Sequence, residues 1–138
     1  MSRSEEAVAL QGGGYNCAQS VACVFADEVG VSKEFLFRAN EGFGGGAGTG
    51  EGICGALSAA IMIAGLKNSS ADLENPTSKG STMKLSRQLM STFKNDVGSI
   101  ICREIKGAGT GKVLMACPDC VRKGVELTEK IVLREAGA

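Results

Sequence analysis

Apolar residues recur along most of this chain at intervals of three and four, which places them on one face of an α-helix. Leu85, Leu89 and Phe93 follow this spacing in one long segment, and Val121 and Val125 repeat it in the last segment of the chain. No alternation of apolar and polar residues is long enough to predict a strand. The pattern therefore predicts an all-α fold.

Capping residues divide this pattern into separate helices. Asn16, Ser32 and Ser99 each precede an apolar segment as an N-cap does, and Asn75 stands before a proline at a first helical position. Residues 1–138 are predicted to form a single compact domain, a bundle of about five to seven helices. The predicted helices cover residues 4–10, 17–29, 33–39, 53–66, 76–95, 100–105 and 117–135.

The segment 53–66 is apolar on nearly every side and rich in alanine, which predicts a buried central helix. Its small residues allow another helix to approach closely, either within the chain or across a homodimer, and a homodimer is our expectation. These residues are Ala56, Ala59, Ala60, Ala64 and Gly65. The segment is too short to span a bilayer, and no membrane is expected as a partner.

Lysine and arginine number 15 together, as do aspartate and glutamate, and no long run of either sign occurs. A nucleic-acid-binding protein carries a basic patch, so nucleic acid is not expected as a partner. A basic amphipathic segment of the membrane-surface type is also missing from the sequence. Residues 1–6 become acidic where a signal peptide becomes apolar, and we therefore expect a cytoplasmic protein.

The sequence contains no histidine, which excludes Ser-His-Asp and Cys-His catalysis, mixed Cys/His zinc sites and histidine-ligated haem. Six cysteines remain as candidates for the chemistry. In a reducing cytoplasm such a set is more often metal-binding or catalytic than a disulfide framework. Cys23 falls in the middle of a predicted helix, about 240° around it from Cys17, and is assigned to packing.

The other five cysteines fall at predicted helix starts. They are Cys17, Cys54, Cys102, Cys117 and Cys120. Helix starts carry unpaired backbone N–H groups and the positive end of the helix dipole, and both stabilise a thiolate. The thiolate is the form of cysteine that acts as nucleophile, electron donor and metal ligand. The positions therefore indicate redox or metal chemistry.

Glycine-rich segments precede three of these helix starts, and the segment 42–52 has seven glycines among its eleven residues. Backbone without Cβ atoms can approach a compact inorganic group closely, so Gly52 and Gly55, which flank Cys54, are candidates for contact with a cofactor. Gly50, Gly52 and Gly55 also match GxGxxG, but no strand precedes them, and a nucleotide cofactor is not expected.

Cys117 and Cys120 form a CxxC whose sulfurs share one side of a helix start. A thioredoxin-like protein would need a preceding strand, and a four-cysteine zinc ribbon would need a second CxxC. The residues alone leave three hypotheses open. One is an iron–sulfur protein, and another is a zinc-binding structural module with four cysteine ligands. The third is a metal-free thiol oxidoreductase or sensor, with Cys117 and Cys120 as its dithiol and Cys17 or Cys54 as partner.

Four segments resemble the motifs of the C_GCAxxG_C_C family of redox-active proteins. They are residues 15–21 (YNCAQSV), residues 50–62 (GEGICGALSAAIM), Phe93 followed by residues 98–104 (GSIICRE), and Cys120 with Val121. The resemblance implies a redox role and a relation to the cysteine domain of split-Soret cytochromes, in which these cysteines are associated with an iron–sulfur centre. By position, the family's four cysteines correspond to Cys17, Cys54, Cys102 and Cys120.

Two positions depart from the family's pattern: Ala59 stands where the motif has glycine, and Cys117 is an additional cysteine. Cys117 is therefore an alternative ligand or a resolving thiol. No CxxCH occurs, so haem attachment is not expected. The resemblance and the helix-start positions together predict electron transfer through an iron–sulfur cluster, [2Fe–2S] or related, with an unidentified redox partner protein. The predicted metal ligands are Cys17, Cys54, Cys102 and Cys120, with Cys117 in reserve.

Overall fold

The computed structural model describes residues 1–135, so the last three residues of the predicted 1–138 domain lie outside the described part. Within residues 1–135 the fold is all-α, as predicted, and extended backbone pairs only in one isolated bridge between Ile53 and Ile101. No helix in this range is long and apolar enough to cross a membrane. The helices are α1 (Arg3–Gly12), α2 (Cys17–Cys23), α3 (Ala26–Val29), α4 (Lys33–Asn40), α5 (Gly44–Ala47), α6 (Gly55–Asn68), α7 (Lys79–Val97), α8 (Cys102–Ile105) and α9 (Cys117–Leu127), with a 3-10 turn at Glu41–Phe43 and a π-helical turn at Thr128–Val132.

Helix α6 is the buried centre of the fold, and α2, α7 and α9 pack around it. Its alanines contact these neighbours without solvent exposure: Ala56, Ala59, Ala60 and Ala64 are fully buried. Where α9 crosses α6, a Cβ added at Gly124 would lie 2.9 Å from the Ala56 carbonyl oxygen. The four alanines of α6 therefore serve packing within the chain, and the homodimer remains a prediction.

The predicted helix 17–29 is divided into two helices. Helix α2 ends at Cys23, the chain turns at Val24 and Phe25, and α3 follows. Phe25 is fully buried at this turn. Burying a phenylalanine side chain stabilises the fold by about 1.5–3 kcal/mol, which offsets the helix hydrogen bonds lost at the break. Gly30 ends α3 in the left-handed conformation, with φ 68°.

The predicted last helix, 117–135, is shorter in the structure. Helix α9 ends at Leu127, and the π-helical turn continues the chain. The Thr128 hydroxyl donates a hydrogen bond to the Gly124 carbonyl oxygen at 2.7 Å. A threonine hydroxyl that competes for the carbonyl four residues earlier bends and loosens a helix, which accounts for the change at this position.

The predicted helix 76–95 begins later, at Lys79. Asn75, expected to be its N-cap, lies in an exposed loop. The Asp72 carboxylate accepts hydrogen bonds from the amides of Glu74 and Asn75 at 3.2 and 3.0 Å. These bonds form a local turn that replaces the first turn of the predicted helix.

Arg3 connects the first helix to the end of the described chain. Its guanidinium donates hydrogen bonds to Glu129 at 2.7 Å, to Glu28 at 2.8 Å and to Glu135 at 3.0 Å. The same group lies 5.4 Å from the centre of the Phe25 ring. This network ties α1 to α3, to the π-helical turn that follows α9 and to the end of the described chain.

Candidate functional site

Five of the six cysteines line one small cavity where the starts of four helices meet. They are Cys17, Cys54, Cys102, Cys117 and Cys120, and Ile105, Lys106 and Met115 complete the lining. The structure thus brings together the four cysteines predicted as metal ligands and adds Cys117, the residue held in reserve. Cys23 lies apart from them in the core, with its thiol 3.7 Å from the Lys33 carbonyl oxygen.

Each sulfur of the cavity comes from the start of a helix. Cys17, Cys102 and Cys117 are the first residues of α2, α8 and α9. Cys120 follows three residues later on α9, and Cys54 is the N-cap of α6, just before the expected first turn. At the starts of α2 and α6, backbone N–H groups donate to a sulfur: that of Ala18 to Cys17, and those of Ala56 and Leu57 to Cys54.

Asn16 fixes the start of α2 and so the position of Cys17. Its side-chain oxygen accepts a hydrogen bond from the Gln19 amide at 2.9 Å, and the Gln19 side-chain oxygen accepts one from the Asn16 amide at 3.0 Å. This reciprocal pair is a capping box. The Asn16 side-chain nitrogen also donates to the Glu41 carbonyl oxygen at 2.9 Å, which ties the glycine-rich segment to the same helix start.

Two backbone hydrogen bonds hold Cys54 beside Cys102. The Cys54 amide donates to the Ile100 carbonyl oxygen at 2.7 Å, and the Cys102 amide donates to the Gly52 carbonyl oxygen at 3.0 Å. Both bonds belong to the isolated bridge that joins the segments before α6 and α8. The bridge explains how two cysteines far apart in the sequence reach the same cavity.

Glycines form the wall against which these cysteines pack. A Cβ added at Gly55 would lie 2.4 Å from Cys17 Sγ, and one at Gly46 would lie 2.6 Å from Cys102 Cβ. Gly46 also has a φ of 68°, which other residues adopt only with strain. A Cβ at Gly52 would lie 2.8 Å from the Gly46 carbonyl oxygen. Contact of Gly52 and Gly55 with a cofactor remains a prediction, while their contact with the cysteine-bearing backbone is direct.

Four of the five thiols influence one another in two pairs. The Cys117 thiol lowers the pKa of Cys17. The Cys120 thiol lowers the pKa of Cys54. In both pairs the thiol whose pKa is raised belongs to α9. The fifth sulfur, that of Cys102, has the side chain of Lys106 as its hydrogen-bond partner.

The Cys17 sulfur is held toward its charged form. The hydrogen bond from the Cys117 thiol makes the largest contribution and lowers the pKa of Cys17 to about 6, against the opposing effect of burial. The backbone amides of Gly45 and Ala18 and the positive charge of Lys106 act in the same direction. Cys17 is therefore the thiol of this pair that ionises first.

Cys54 and its partner repeat this arrangement. The Cys120 thiol lowers the pKa of Cys54, and the amides of Ala56 and Leu57 add to the effect against burial. The donors behave in the opposite way: the pKa of Cys117 and of Cys120 is raised, because ionisation would remove the hydrogen bond and burial opposes the charge. Each pair thus combines a sulfur held toward its charged form with a thiol held toward its neutral form.

The cavity reaches the surface at Cys117. Cys54 and Cys102 are each 5% exposed and Cys120 is 2% exposed, whereas Cys117 is half-buried. The Gln11 side-chain nitrogen donates to the Cys117 sulfur at 3.2 Å and covers it from the side of α1. Solvent or a small reagent therefore meets Cys117 first.

The arrangement suits chemistry that uses sulfur atoms in pairs. Cysteine thiolates are soft ligands, which favour zinc, copper(I) and iron–sulfur groups. Within residues 1–135, no three cysteine, aspartate or glutamate side chains surround a position for a single metal ion. The five sulfur atoms on this lining are the groups available for metal ligation or for thiol–disulfide chemistry.

Sequence reasoning missed two polar residues of the site, Lys106 and Gln11. Gln11 lies in the last turn of α1, and Lys106 directly follows the end of α8. At such positions a glutamine or lysine is typical of a solvated surface. Cys102 and Lys106 are four residues apart, a spacing that places two side chains together on an α-helix. The sequence does not show that the short helix extends from one residue to the other. Gln11 reaches Cys117 through tertiary packing alone.

A comparison with protein families adds a finding to this geometry. The sequence model of a family described as "putative redox-active protein (C_GCAxxG_C_C)" matches residues 15–131. The matched range contains all five cysteines of the cavity. Neither the curated proteins nor the solved structures gave a significant match.

Proposed function

The chain belongs to the C_GCAxxG_C_C family of redox-active proteins, and from this premise we propose that it transfers electrons through an iron–sulfur cluster of the [2Fe–2S] type. The observation that carries the proposal is the convergence of five free cysteine thiols on one buried cavity. Cysteine thiolates are the usual ligands of such clusters. The reducing cytoplasm expected from the sequence would keep these thiols available.

The state of the thiols supports ligation. Metal binding requires deprotonated cysteines, and each proton that must be lost weakens the affinity. Cys17 and Cys54 are already held toward the thiolate, because a partner thiol and backbone amides donate hydrogen bonds to them. The chain therefore prepares two of its sulfurs for binding before any cluster is present.

Backbone amides around the cavity are the groups expected to tune the cluster. A bound [2Fe–2S] cluster would supply one-electron redox chemistry, with a potential that depends on hydrogen bonds to its sulfurs, net charge and burial. The amides of Gly45 and Ala18 lie at the Cys17 sulfur, and those of Ala56 and Leu57 lie at the Cys54 sulfur. Such donors stabilise negative charge and favour the reduced state.

Lys106 supplies the positive charge on the lining described above. Four thiolates bring an excess of negative charge into a buried site, and burial of unpaired charge is costly. The Lys106 side chain lowers the pKa of Cys17 through its charge and also contacts the Cys102 sulfur. It therefore offsets part of the charge that a cluster and its ligands would place in the cavity.

The test is purification without oxygen, followed by a visible absorption spectrum and assays of iron and acid-labile sulfide. The proposal predicts broad absorption between about 400 and 600 nm, with about two irons and two sulfides per chain. Iron and sulfide absent both as purified and after anaerobic reconstitution would exclude it. A zinc assay on the same sample detects a purely structural metal.

A second candidate function is metal-free thiol–disulfide exchange, and the pair of Cys17 and Cys117 favours it. A low thiol pKa beside a neutral, partly exposed thiol is the arrangement of a redox dithiol. The dithiol in this form joins Cys117 to Cys17, whereas the CxxC pattern alone suggested Cys117 with Cys120. Metal-free protein that cycles between dithiol and disulfide with a small thiol reductant, and gains no iron on reconstitution, would establish this function instead.

A further inference from the structure

The outer face of α7 forms an open groove on the surface of the protein. Met83, Arg87, Met90 and Lys94 line it at successive turns of the helix, together with two serines and Ile100, which follows the end of the helix. The groove has a volume of about 630 Å³, and Met83 is 56% exposed. Methionine side chains are flexible and adapt to the surfaces they meet, so they are frequent where one protein binds another. The groove therefore has the shape and the apolar lining of a docking surface.

The groove is positively charged. Arg87 and Lys94 are both exposed, and no acidic side chain stands on the lining. Within residues 1–135 neither cation forms an ion pair. Asp96, the acidic residue of α7, is paired with Lys123 at 3.4 Å. Binding partners present complementary charge, so this groove fits an acidic surface.

Other occupants fit the groove less well. A two-fold interface between copies of this chain would set the same cations against each other, and like charges repel. Membranes and nucleic acids attract proteins through extended clusters of lysine and arginine, whereas this chain has as many acidic as basic residues. An acidic protein that also offers apolar side chains is the occupant that the groove favours.

The groove lies one hydrogen bond away from the cysteine cavity. Ile100 lines the groove, and its carbonyl oxygen accepts a hydrogen bond from the Cys54 amide at 2.7 Å. Cys54 in turn lines the cavity. A protein bound in the groove would therefore contact the segment that holds this cysteine in place.

We propose that the groove on α7 is the docking surface for an acidic electron-carrier protein. The redox character of the partner rests on the proposed function, whereas the charge and the apolar lining of the groove do not. Encounters between redox proteins are brief and use small interfaces, with less than about 1,200 Å² buried in total. One helix face with two cations is enough for such an encounter.

The five methionines of the chain serve as reporters for the test. Met83 and Met90 line the groove and Met115 lines the cavity, whereas Met1 and Met62 line neither. Full-length protein with ¹³C-labelled methionine methyl groups is titrated with oxidised flavodoxin, an acidic and diamagnetic electron carrier, and followed by NMR. We expect saturable shifts at Met83 and Met90 and none at Met1 or Met62. The binding should weaken at about 1 M salt, where the Debye length is about 3 Å.

Paired variants test the charges. The double variant Arg87→Gln with Lys94→Gln removes the two cations of the groove. Lys33→Gln with Arg38→Gln is the matched control, because it removes two exposed cations from α4 and gives the same net charge. We expect the groove variant to raise the dissociation constant of flavodoxin roughly three- to tenfold, and the control to stay within about twofold of the wild type.

Equal weakening in both variants would overturn the proposal, because it would show attraction by net charge alone. A titration without shifts at Met83 and Met90 would overturn it as well. Phosphatidylserine vesicles and a short DNA duplex are titrated in parallel, and groove shifts with either of them but not with flavodoxin would exclude a protein as the occupant. A chain that binds no iron would refute the proposed function and leave the methyl shifts intact. A chain that binds iron but shows no methyl shifts would refute only the docking surface.

Discussion

The Cys17 sulfur has room in the cavity only because Gly55 carries no side chain. A Cβ at this position would lie 2.4 Å from Cys17 Sγ and 3.0 Å from the Phe43 carbonyl oxygen. Neither atom is the end of a flexible side chain, because the sulfur is fixed in its pair and the oxygen belongs to the backbone. The cysteine next to it in the sequence, Cys54, would move with any shift of α6.

We therefore predict that Gly55→Ala lowers the free energy of unfolding by about 1–3 kcal/mol, as overpacking of a tight core does. Iron incorporation should fall with it, since the Cys17 sulfur is displaced. Gly65→Ala on the same helix is the matched control, because nothing lies within 4 Å of a Cβ there. This control should raise stability slightly through helix propensity. Urea unfolding and an iron assay measure both effects, and equal behaviour of the two variants would contradict the prediction.

The paired thiols also predict how the reduced, metal-free protein responds to pH. The pKa of Cys17 is lowered to about 6 in the fold, whereas an ordinary cysteine has a pKa of about 8.5. Between these two pH values the folded chain carries a thiolate at Cys17, and the unfolded chain carries a thiol there. The unfolded chain then binds more protons, so stability rises with pH. Above this range stability falls, because Cys117 and Cys120 keep protons in the fold that the unfolded chain releases.

Urea unfolding in the presence of a reductant, measured from pH 5.5 to 10, should therefore show maximum stability near pH about 8.5. The control is Cys17→Ser. Its stability should rise less between pH about 6 and 8.5, because the variant has no thiolate at this position. A wild-type profile that is flat across this range would show that the thiol pairs do not titrate as described.

Among the secondary-structure elements, α2 connects the sequence most directly to the site. Its start is fixed by the reciprocal hydrogen bonds of Asn16 and Gln19, and Asn16 also holds the glycine-rich segment through the Glu41 carbonyl. Cys17 is the next residue along the chain. The cap therefore contributes both to the stability of the helix and to the placement of a sulfur.

Asn16→Ala should lower the free energy of unfolding by about 1–2 kcal/mol, the usual effect of a lost N-cap. It should also slow iron incorporation, because Cys17 loses its fixed position. The matched control is Ser32→Ala, which removes the cap of α4, where the Ser32 hydroxyl accepts from the Phe35 amide at 3.0 Å. This variant should lose stability without a change in iron incorporation, and the same iron loss in both would refute the role given to Asn16.

The elements also show how far the sequence alone predicts this fold. Helix starts at Asn16 and Ser32 follow from local hydrogen bonding, so caps in the sequence identify them correctly. The turn at Phe25 depends on burial of its ring by distant parts of the chain, and the shift away from Asn75 depends on a competing turn at Asp72. Local patterns contain neither kind of information.

The same distinction applies to the cavity. The sequence places five cysteines at helix starts. At Cys17 the Asn16 cap carries that prediction, whereas the helix of Cys102 has Ile101 as its N-cap and not the expected Ser99. It does not reveal that Cys117 pairs with Cys17, since these helices meet only through tertiary packing. Nor does it identify Lys106 as the charge beside the thiols. The location of the cysteines at helix starts is thus predictable from the sequence, while the partner of each sulfur is not.

For the whole molecule, the sulfurs come from the beginning, the middle and the end of the chain. Helices α2, α6 and α9 supply the two pairs, and α9 packs on α1, which Arg3 fastens to Glu129 and Glu135. Cluster binding would therefore join all layers of the bundle and add to the stability of the fold.

Arg3→Ala should lower the free energy of unfolding by about 1 kcal/mol at low salt, because it removes a network of three carboxylate contacts. The loss should become smaller at high salt, which screens the network. Arg122→Ala is the control, since its partners Glu5 and Asp119 are more exposed, and its effect should be the smaller one. Urea unfolding at two salt concentrations makes the comparison, and an equal loss for both variants at low salt would contradict it.

The central claim is that the cavity cysteines bind a [2Fe–2S] cluster that carries one electron. The most direct measurement is electron paramagnetic resonance of protein purified without oxygen and reduced with dithionite. The account predicts a spin-one-half signal from a cluster reduced by one electron, present in the wild type and in Cys23→Ser and absent when Cys17 and Cys54 are both replaced by serine. A reduced wild-type protein that is fully reconstituted with iron and sulfide yet gives no such signal would contradict it.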